Sequence, residues 1–299
     1  MLITFTGRII VETSTVAASA DIDIFQAIIL GMVQGLTEFL PISSTAHLKV
    51  VPVALGWGDP GVAITAVIQL GSIAAVLWYF WNDITTVLSG AFQAIRQSDY
   101  QAPNFRIAAG IALGTLPILC LGVLIKVFIP DFDNSPLRSI GAIALASIVM
   151  AILLGLAEKL GTRKRDYEQL TLQDGVVMGL AQSLALIPGV SRSGSTLTAG
   201  LFSGLQRATA ARFSFLLGIP AITLAGLVEL KGMLENGLGN IGALPLVVSL
   251  ISSALFSYLA IAWLLRYLQT QNTWVFVWYR LAFGVAILTA IAGGVLENS

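Results

Sequence analysis

An all-α, polytopic membrane fold is what this sequence predicts, and three observations predict it. Hydrophobic residues make up 56% of the 299 positions and charged residues 11%, with a mean hydropathy of +0.86; a soluble domain carries roughly 25% charged residues. Apolar runs of about 20 residues suit helices crossing a hydrocarbon core of roughly 30 Å, and the short alternating strands of an outer-membrane barrel are missing. A polar break flanked by apolar segments occurs twice, so the expected architecture is six transmembrane helices plus two re-entrant helical hairpins in an inverted-topology repeat.

Residues 1–21 read as an N-terminal extension and 22–299 as one integral membrane domain. VAASA resembles a small-residue cleavage site, yet the stretch before it contains Arg8 and Glu12 and is weakly apolar. The first helix, 22–40, is stopped by Pro41, and a second apolar piece covers 46–55. Neither is comfortable as a full span, so together they suit a re-entrant hairpin. Broken backbone survives at membrane depth only where protein or a water-filled cavity surrounds it, which implies a cavity. Spans follow at 62–81, 105–129 and 137–157, and the charged segment EKLGTRKRDYEQ after them is loop.

From Thr171 the pattern begins again. VVMGLAQSLALIPGVSRSGST lies over ILGMVQGLTEFLPISSTAH, with Gly179 on Gly31, Gln182 on Gln34 and Pro188 on Pro41. In the second copy Leu186 replaces the acid and the serines enclose Arg192. Spans at 211–230, 244–267 and 274–296 complete it, with Pro220 as punctuation, and the repeat halves run over about 22–157 and 171–296. Three spans per half turn the second half upside down, so the two broken hairpins enter from opposite faces and meet near the midplane. Glu38, Ser44, His47 and Arg192 are then expected in one cavity.

Under this topology Arg96, Arg106, Lys159, Arg163, Lys164, Arg165, Arg207, Arg212 and Arg266 fall on one side, which is cytoplasmic by the positive-inside tendency. Both termini and the first hairpin then face outward, and the mouth of the site is extracytoplasmic. Sixteen basic and sixteen acidic residues leave no net charge, so nothing electrostatic argues for a nucleic-acid partner. The single Cys120 excludes an internal disulfide and a cysteine metal site, and is expected as a small buried apolar residue. Arg280, a turn or two into the last span, is read as snorkelling to the interface rather than as a site residue.

Helical spacing puts Gln34 and Glu38 on one face, one turn apart. An ionised carboxylate in an apolar setting is costly unless paired, hydrated or bound to a cation. Gln34 either orients Glu38 or ligates a metal through its carbonyl oxygen. His47, the only histidine, is the natural proton acceptor or donor near neutrality. Ser44 is a weak nucleophile unless a base such as His47 takes its proton, with Ser43 and Thr45 as candidate substrate-binding hydroxyls beside it; alternatively Ser43, Ser44 and Thr45 cap a half-helix. PGVSRSGST, residues 188–196, is a Gly/Ser-rich turn entering another half-helix with an arginine at its centre. Helix amino ends, successive N–H groups and the guanidinium fork favour phosphate there, which makes Gly189, Ser191, Ser193 and Gly194 candidate binding positions beside Arg192. Spacing alone does not separate a phosphatase from an anion transporter.

At these residues the chain closely resembles the undecaprenyl-diphosphatase family of the bacitracin-resistance type. The likeness lies in QGLTEFLPISSTAH, in PGVSRSGST, in ARFSFLLGIPAI at 211–222 and in the YR of Tyr279 and Arg280, and covers nearly all of the chain after about Ile22. The resemblance implies a phosphatase of the bacterial inner membrane. Such an enzyme removes the terminal phosphate of undecaprenyl diphosphate to regenerate the cell-wall lipid carrier, with a divalent cation such as Mg or Ca. By the same resemblance Gln34 and Glu38 stand for the family's catalytic glutamate pair, Ser44 and His47 for its serine and histidine, and Arg192 for its arginine. Gln34 is a departure, since glutamate is frequent there. The mechanism it suggests has Arg192 and the turn's N–H groups on the diphosphate, a metal near Glu38, and Ser44 attacking with His47 as base. Direct attack by water is the competing route. A lipid flippase or anion transporter on the same inverted repeat is the rival class, and a homodimer is possible.

Overall fold

The computed structural model describes residues 21–129, 131–132 and 135–298, so the expected extension and its cleavage site fall, apart from Asp21, outside the described residues. Eleven α-helices make up the described fold: α1 (Ile24–Phe39), α2 (Ser44–Ala54), α3 (Val62–Tyr79), α4 (Trp81–Gln97), α5 (Pro103–Phe128), α6 (Ile140–Leu160), α7 (Leu172–Ser183), α8 (Arg192–Phe202), α9 (Arg207–Asn236), α10 (Ala243–Thr270) and α11 (Trp274–Ala292). Six of them, α3, α5, α6, α9, α10 and α11, are long and apolar enough to cross a membrane. These are the six expected spans. The helices of the two broken hairpins have 16 and 11 residues in the first and 12 and 11 in the second, short of the roughly 20 that a crossing needs.

Local chemistry sets the hairpin ends. Asp23 and Gln26 form a capping box at the start of α1, and Thr171 and Asp174 do the same for α7. Leu40, pressed out of the helical region by Pro41, ends α1 in extended backbone at φ −67°, ψ 141°. Ser43 and Ser191 then start α2 and α8 from the same left-handed conformation, φ 74° and 73°, and each serine oxygen accepts the backbone N–H three residues on. They stand 148 positions apart, in the register of Gly31 with Gly179 and Gln34 with Gln182. The proline pairing of the sequence alignment is therefore one residue out.

Helix α1 packs on α10 and α7 on α5, while α3 packs on α9 and α6 on α11. Exchanging the halves maps this pattern onto itself, as an inverted repeat requires. Both hairpin contacts are close. A Cβ on Gly31 or Gly35 would lie 2.3 or 2.6 Å from the carbonyl oxygens of Ser249 and Ser253, and one on Gly175 or Gly179 would lie 2.4 or 2.2 Å from backbone atoms of Gly110 and Gly114. At the inner ends, Phe39 and Phe215 pack edge to face at 5.0 Å in the main hydrophobic cluster.

One expectation about the fold is corrected. Cys120 is exposed on the flank of α5 rather than buried. Between the expected spans at 62–81 and 105–129, where the sequence predicts no element, lies α4, with Val87, Ala91 and Ala94 buried and Leu88, Phe92 and Ile95 exposed. The charged segment after α6 is clasped rather than free. Glu158 accepts from Arg163, Arg207 and both the N–H and the hydroxyl of Thr273, and Arg165 pairs with Asp174. Arg212, paired with Asp83 of α4, lies 4.0 Å over the ring of Tyr167, whose hydroxyl burial pushes up to about 12.

Gly35→Leu is expected to destabilise the fold by about 1–3 kcal/mol or more through overpacking on the α10 backbone, seen as a lower thermal unfolding midpoint in detergent. Gly232→Ala, where an added Cβ meets nothing within 4 Å, should leave the midpoint unchanged or raise it, because alanine favours a helix interior by up to about 1 kcal/mol.

Candidate active site

Glu38, on the last turn of α1 and 6% exposed, is the point at which the two hairpins meet. Its Oε2 accepts from Ser44 Oγ at 2.7 Å and from Gln34 Nε2 at 3.0 Å. Its Oε1 accepts from Arg192 Nη2 at 3.2 Å, across the joint between the halves. Ser44 and Arg192 are the first residues of α2 and α8, so the left-handed serine before each aims them inward. Arg192 also donates to the Ser214 carbonyl at 2.9 Å and lies 6.0 Å from the Phe39 ring centre. Its seat exists because residue 218 of α9 is glycine: a Cβ there would stand 2.4 Å from Nη1.

A cavity of about 380 Å³ opens beside this group. Its polar end is formed by Glu38, Ser43, Ser44, Thr45, Gly189, Ser191 and Arg192. The remainder is mostly an apolar wall between α5 and α9, with Ile118, Leu119 and Val123 on one side and Ile222, Ala225 and Val228 on the other. Lys126, in the last turn of α5, and Glu229 also line it. A charged group can sit at one end while a hydrocarbon chain lies along the other.

Several expected site residues stand elsewhere. His47, 5% exposed, does not line the cavity and makes no hydrogen bond to Ser44. Its Nδ1 donates to the Ser43 carbonyl at 2.7 Å, so in the neutral ring Nε2 accepts from the Tyr279 hydroxyl at 2.6 Å. Its ring stacks on Phe283 at 4.4 Å. Both nitrogens are committed, and the acceptor that Ser44 meets is Glu38. Ser193 and Gly194 lie behind the cavity. Ser193 Oγ donates to the carbonyls of Glu38 and Leu40 at 3.1 and 3.0 Å, and Gly194 N–H is taken by Ser191 Oγ at 3.1 Å.

Arg280 does not snorkel. It is 1% exposed, and donates through Nε to Ser147 O at 3.1 Å, through Nη1 to Pro41 O at 3.0 Å, and through Nη2 to Gly189 O at 2.7 Å and Val190 O at 3.2 Å. One guanidinium thus serves the carbonyls freed at both breaks. Sequence reasoning placed Arg280 at the right depth and missed its direction; the signal was that two broken helices in an apolar body need donors that only a polar residue in a span can bring.

Gln34 is fully buried, with Nε2 on Glu38 and on Ser72 Oγ at 3.3 Å, and its Oε1 has no hydrogen-bond partner. Hard divalent cations take oxygen ligands, so an unpartnered amide oxygen beside a carboxylate fits such an ion. No group of three or more His, Cys, Asp or Glu is gathered among the described residues. A cation here would complete its shell on phosphate or water oxygens.

A sequence model of the family described as bacitracin resistance protein BacA matches residues 27–286. The chain is 71% identical to an undecaprenyl-diphosphatase of Nostoc sp. over 277 residues, 93% of this chain and 87% of that one. It is 65% identical to one of Trichodesmium erythraeum over 281 residues, 94% and 90% of the two chains. With one of Synechocystis sp. it shares 64% over 284 residues, 95% and 87%.

Arg280→Met, which keeps the volume and removes the donors, is expected to cost about 3 kcal/mol or more, at about 1–3 kcal/mol for each buried acceptor left unpaired. Thermal unfolding in detergent measures this, and Arg280→Lys should recover only part, since an ammonium cannot span three carbonyls on two hairpins and a fourth on α6.

Proposed function

Because the chain belongs to the bacitracin resistance protein BacA family, we infer that it is a membrane hydrolase that cleaves undecaprenyl diphosphate to undecaprenyl phosphate and phosphate. High identity over most of the chain to relatives named undecaprenyl-diphosphatase supports this, and so does a cavity with one charged and one hydrocarbon end. The observation that carries the chemistry is Ser44 Oγ donating at 2.7 Å to a carboxylate that also pairs with Arg192.

Arg192, the first residue of α8, binds the terminal phosphate, since its guanidinium suits phosphate oxygens. Ser44 Oγ attacks the terminal phosphorus while its proton passes to Glu38, and the bond from phosphorus to the bridging oxygen breaks, releasing undecaprenyl phosphate. Water then attacks the phosphoserine, giving phosphate and restoring the hydroxyl. His47, held between the Ser43 carbonyl and Tyr279, keeps the left-handed turn that presents Ser44. Ser43, Thr45, Gly189 and Ser191 line the phosphate end. Glu38 and Gln34 Oε1 would hold a Mg or Ca ion, which when bound offsets phosphate charge.

The lipid tail occupies the wall between α5 and α9, where burial contributes about 0.8 kcal/mol per CH2. The mouth faces the extracytoplasmic side. Arg106, Lys159, Arg207 and Arg266 gather at the ends of the spans opposite Lys126 and Glu229, which supports that orientation by the positive-inside tendency.

Phosphate release from undecaprenyl diphosphate by the purified protein in detergent tests the reading. Ser44→Ala and Glu38→Gln should each lose about 100-fold or more, the usual scale of nucleophile and general-base losses, and acid quenching should trap phosphate on Ser44. Ser44→Ala that keeps activity, with labelled water oxygen in the phosphate, would instead mean direct attack by water. Chelation should abolish turnover and added Mg or Ca restore it. Ala225→Trp should raise KM for the long-chain substrate several-fold while leaving a short-chain prenyl diphosphate little changed, because only the former uses the groove.

A further inference from the structure

Four polar side chains not exposed to solvent continue inward from the catalytic carboxylate. Gln34 Nε2 reaches Ser72 Oγ of α3 at 3.3 Å; Ser72 Oγ meets Ser257 Oγ at 2.8 Å and Ser253 Oγ at 3.0 Å, both on α10. Gln34, Ser72, Ser253 and Ser257 are all 0% exposed. Three helices bring them to one level by close approach. Gly35, beside Gln34, would put a Cβ 2.6 Å from Ser253 O, and Gly71, beside Ser72, would put one 2.3 Å from Leu250 O.

We propose that Ser72, saturated by Ser253 and Ser257, is a positioning residue that fixes which end of the Gln34 amide faces Glu38. The proton count carries this. Ser257 and Gln34 Nε2 both donate to Ser72, filling its two lone pairs, which leaves its single proton for Ser253. Ser72 thus takes one proton of the Gln34 NH2 end at 3.3 Å. That group has two protons and places the second on Glu38 Oε2. The reversed amide would set Oε1 against the Glu38 carboxylate, and buried polar atoms so opposed are costly. Three hydroxyls with no part in the chemistry thereby hold Glu38 Oε2 toward Ser44 and leave Gln34 Oε1 unpartnered. This rests on the reading that Glu38 takes the Ser44 proton.

Ser72→Ala is expected to lower kcat about fivefold to tenfold, the rate equivalent of one ordinary hydrogen bond, with KM nearly unchanged because Arg192 and the groove still hold substrate, and with a lower thermal midpoint because Ser257 and Gln34 each lose a buried acceptor. Ser72→Thr, which keeps the hydroxyl, should recover most of the rate. In a Gln34→Met background, where no amide remains to orient, Ser72→Ala should change kcat by less than about twofold. An equal loss in both backgrounds, or a threonine variant as slow as the alanine one, overturns the proposal in favour of packing. Should Ser72→Ala fail to fold, Ser257→Ala carries the same cycle. If Glu38→Gln and Ser44→Ala stay active, the chemistry assigned to the site is at fault; if they are inactive while Ser72→Ala runs at the native rate, only the serine chain is.

Discussion

A helix interrupted inside an apolar body frees carbonyl oxygens that water does not reach, and this fold does so twice. Unpaired, such groups cost more than the local packing around them returns. Arg280 meets both breaks at once, binding Pro41 in the first and Gly189 and Val190 in the second, with Ser147 of α6 as its fourth partner. The hairpins are therefore held at a fixed separation by one planar group. Everything at the joint, including the distance from Glu38 to Arg192, inherits that separation.

On this scaffold the Glu38–Arg192 pair has two functions that pull apart. A buried ion pair recovers its desolvation cost only if the remaining lone pairs and protons are also met. Here Ser44 and Gln34 complete the carboxylate, and the Ser214 carbonyl takes part of the guanidinium. Yet Gln34 Oε1 and Arg192 Nε are left without partners. The joint is complete enough to stand by itself and incomplete enough to suit the phosphate and cation that we propose for it. The second copy lacks this tension, since Leu186 stands where the acid would be.

The spans were legible because each carries about 20 apolar residues, and the repeat because Gly31 and Gln34 recur as Gly179 and Gln182. Helix α4 was not, because Asn82, Asp83, Thr85 and Thr86 dilute its hydropathy and only a one-sided stripe marks it. Glu38, Ser44 and Arg192 could be read from polarity at a break. The role of His47 could not, because its partner Tyr279 lies 232 positions away and no local spacing announces that a ring nitrogen is already taken. Ser193 and Gly194 belong to a phosphate-like motif by composition, but the first turn of a helix has two sides, and theirs faces the backbone of α1.

Gly218 carries no functional group, and yet the Arg192 guanidinium, to which we assign the phosphate, rests in the space its missing side chain leaves open. In any catalogue of tolerated substitutions it would sort with the reacting residues rather than with its apolar neighbours on α9. Part of the recognition of an anion is thus encoded as an empty volume on a membrane-crossing helix, invisible to any search for polar chemistry.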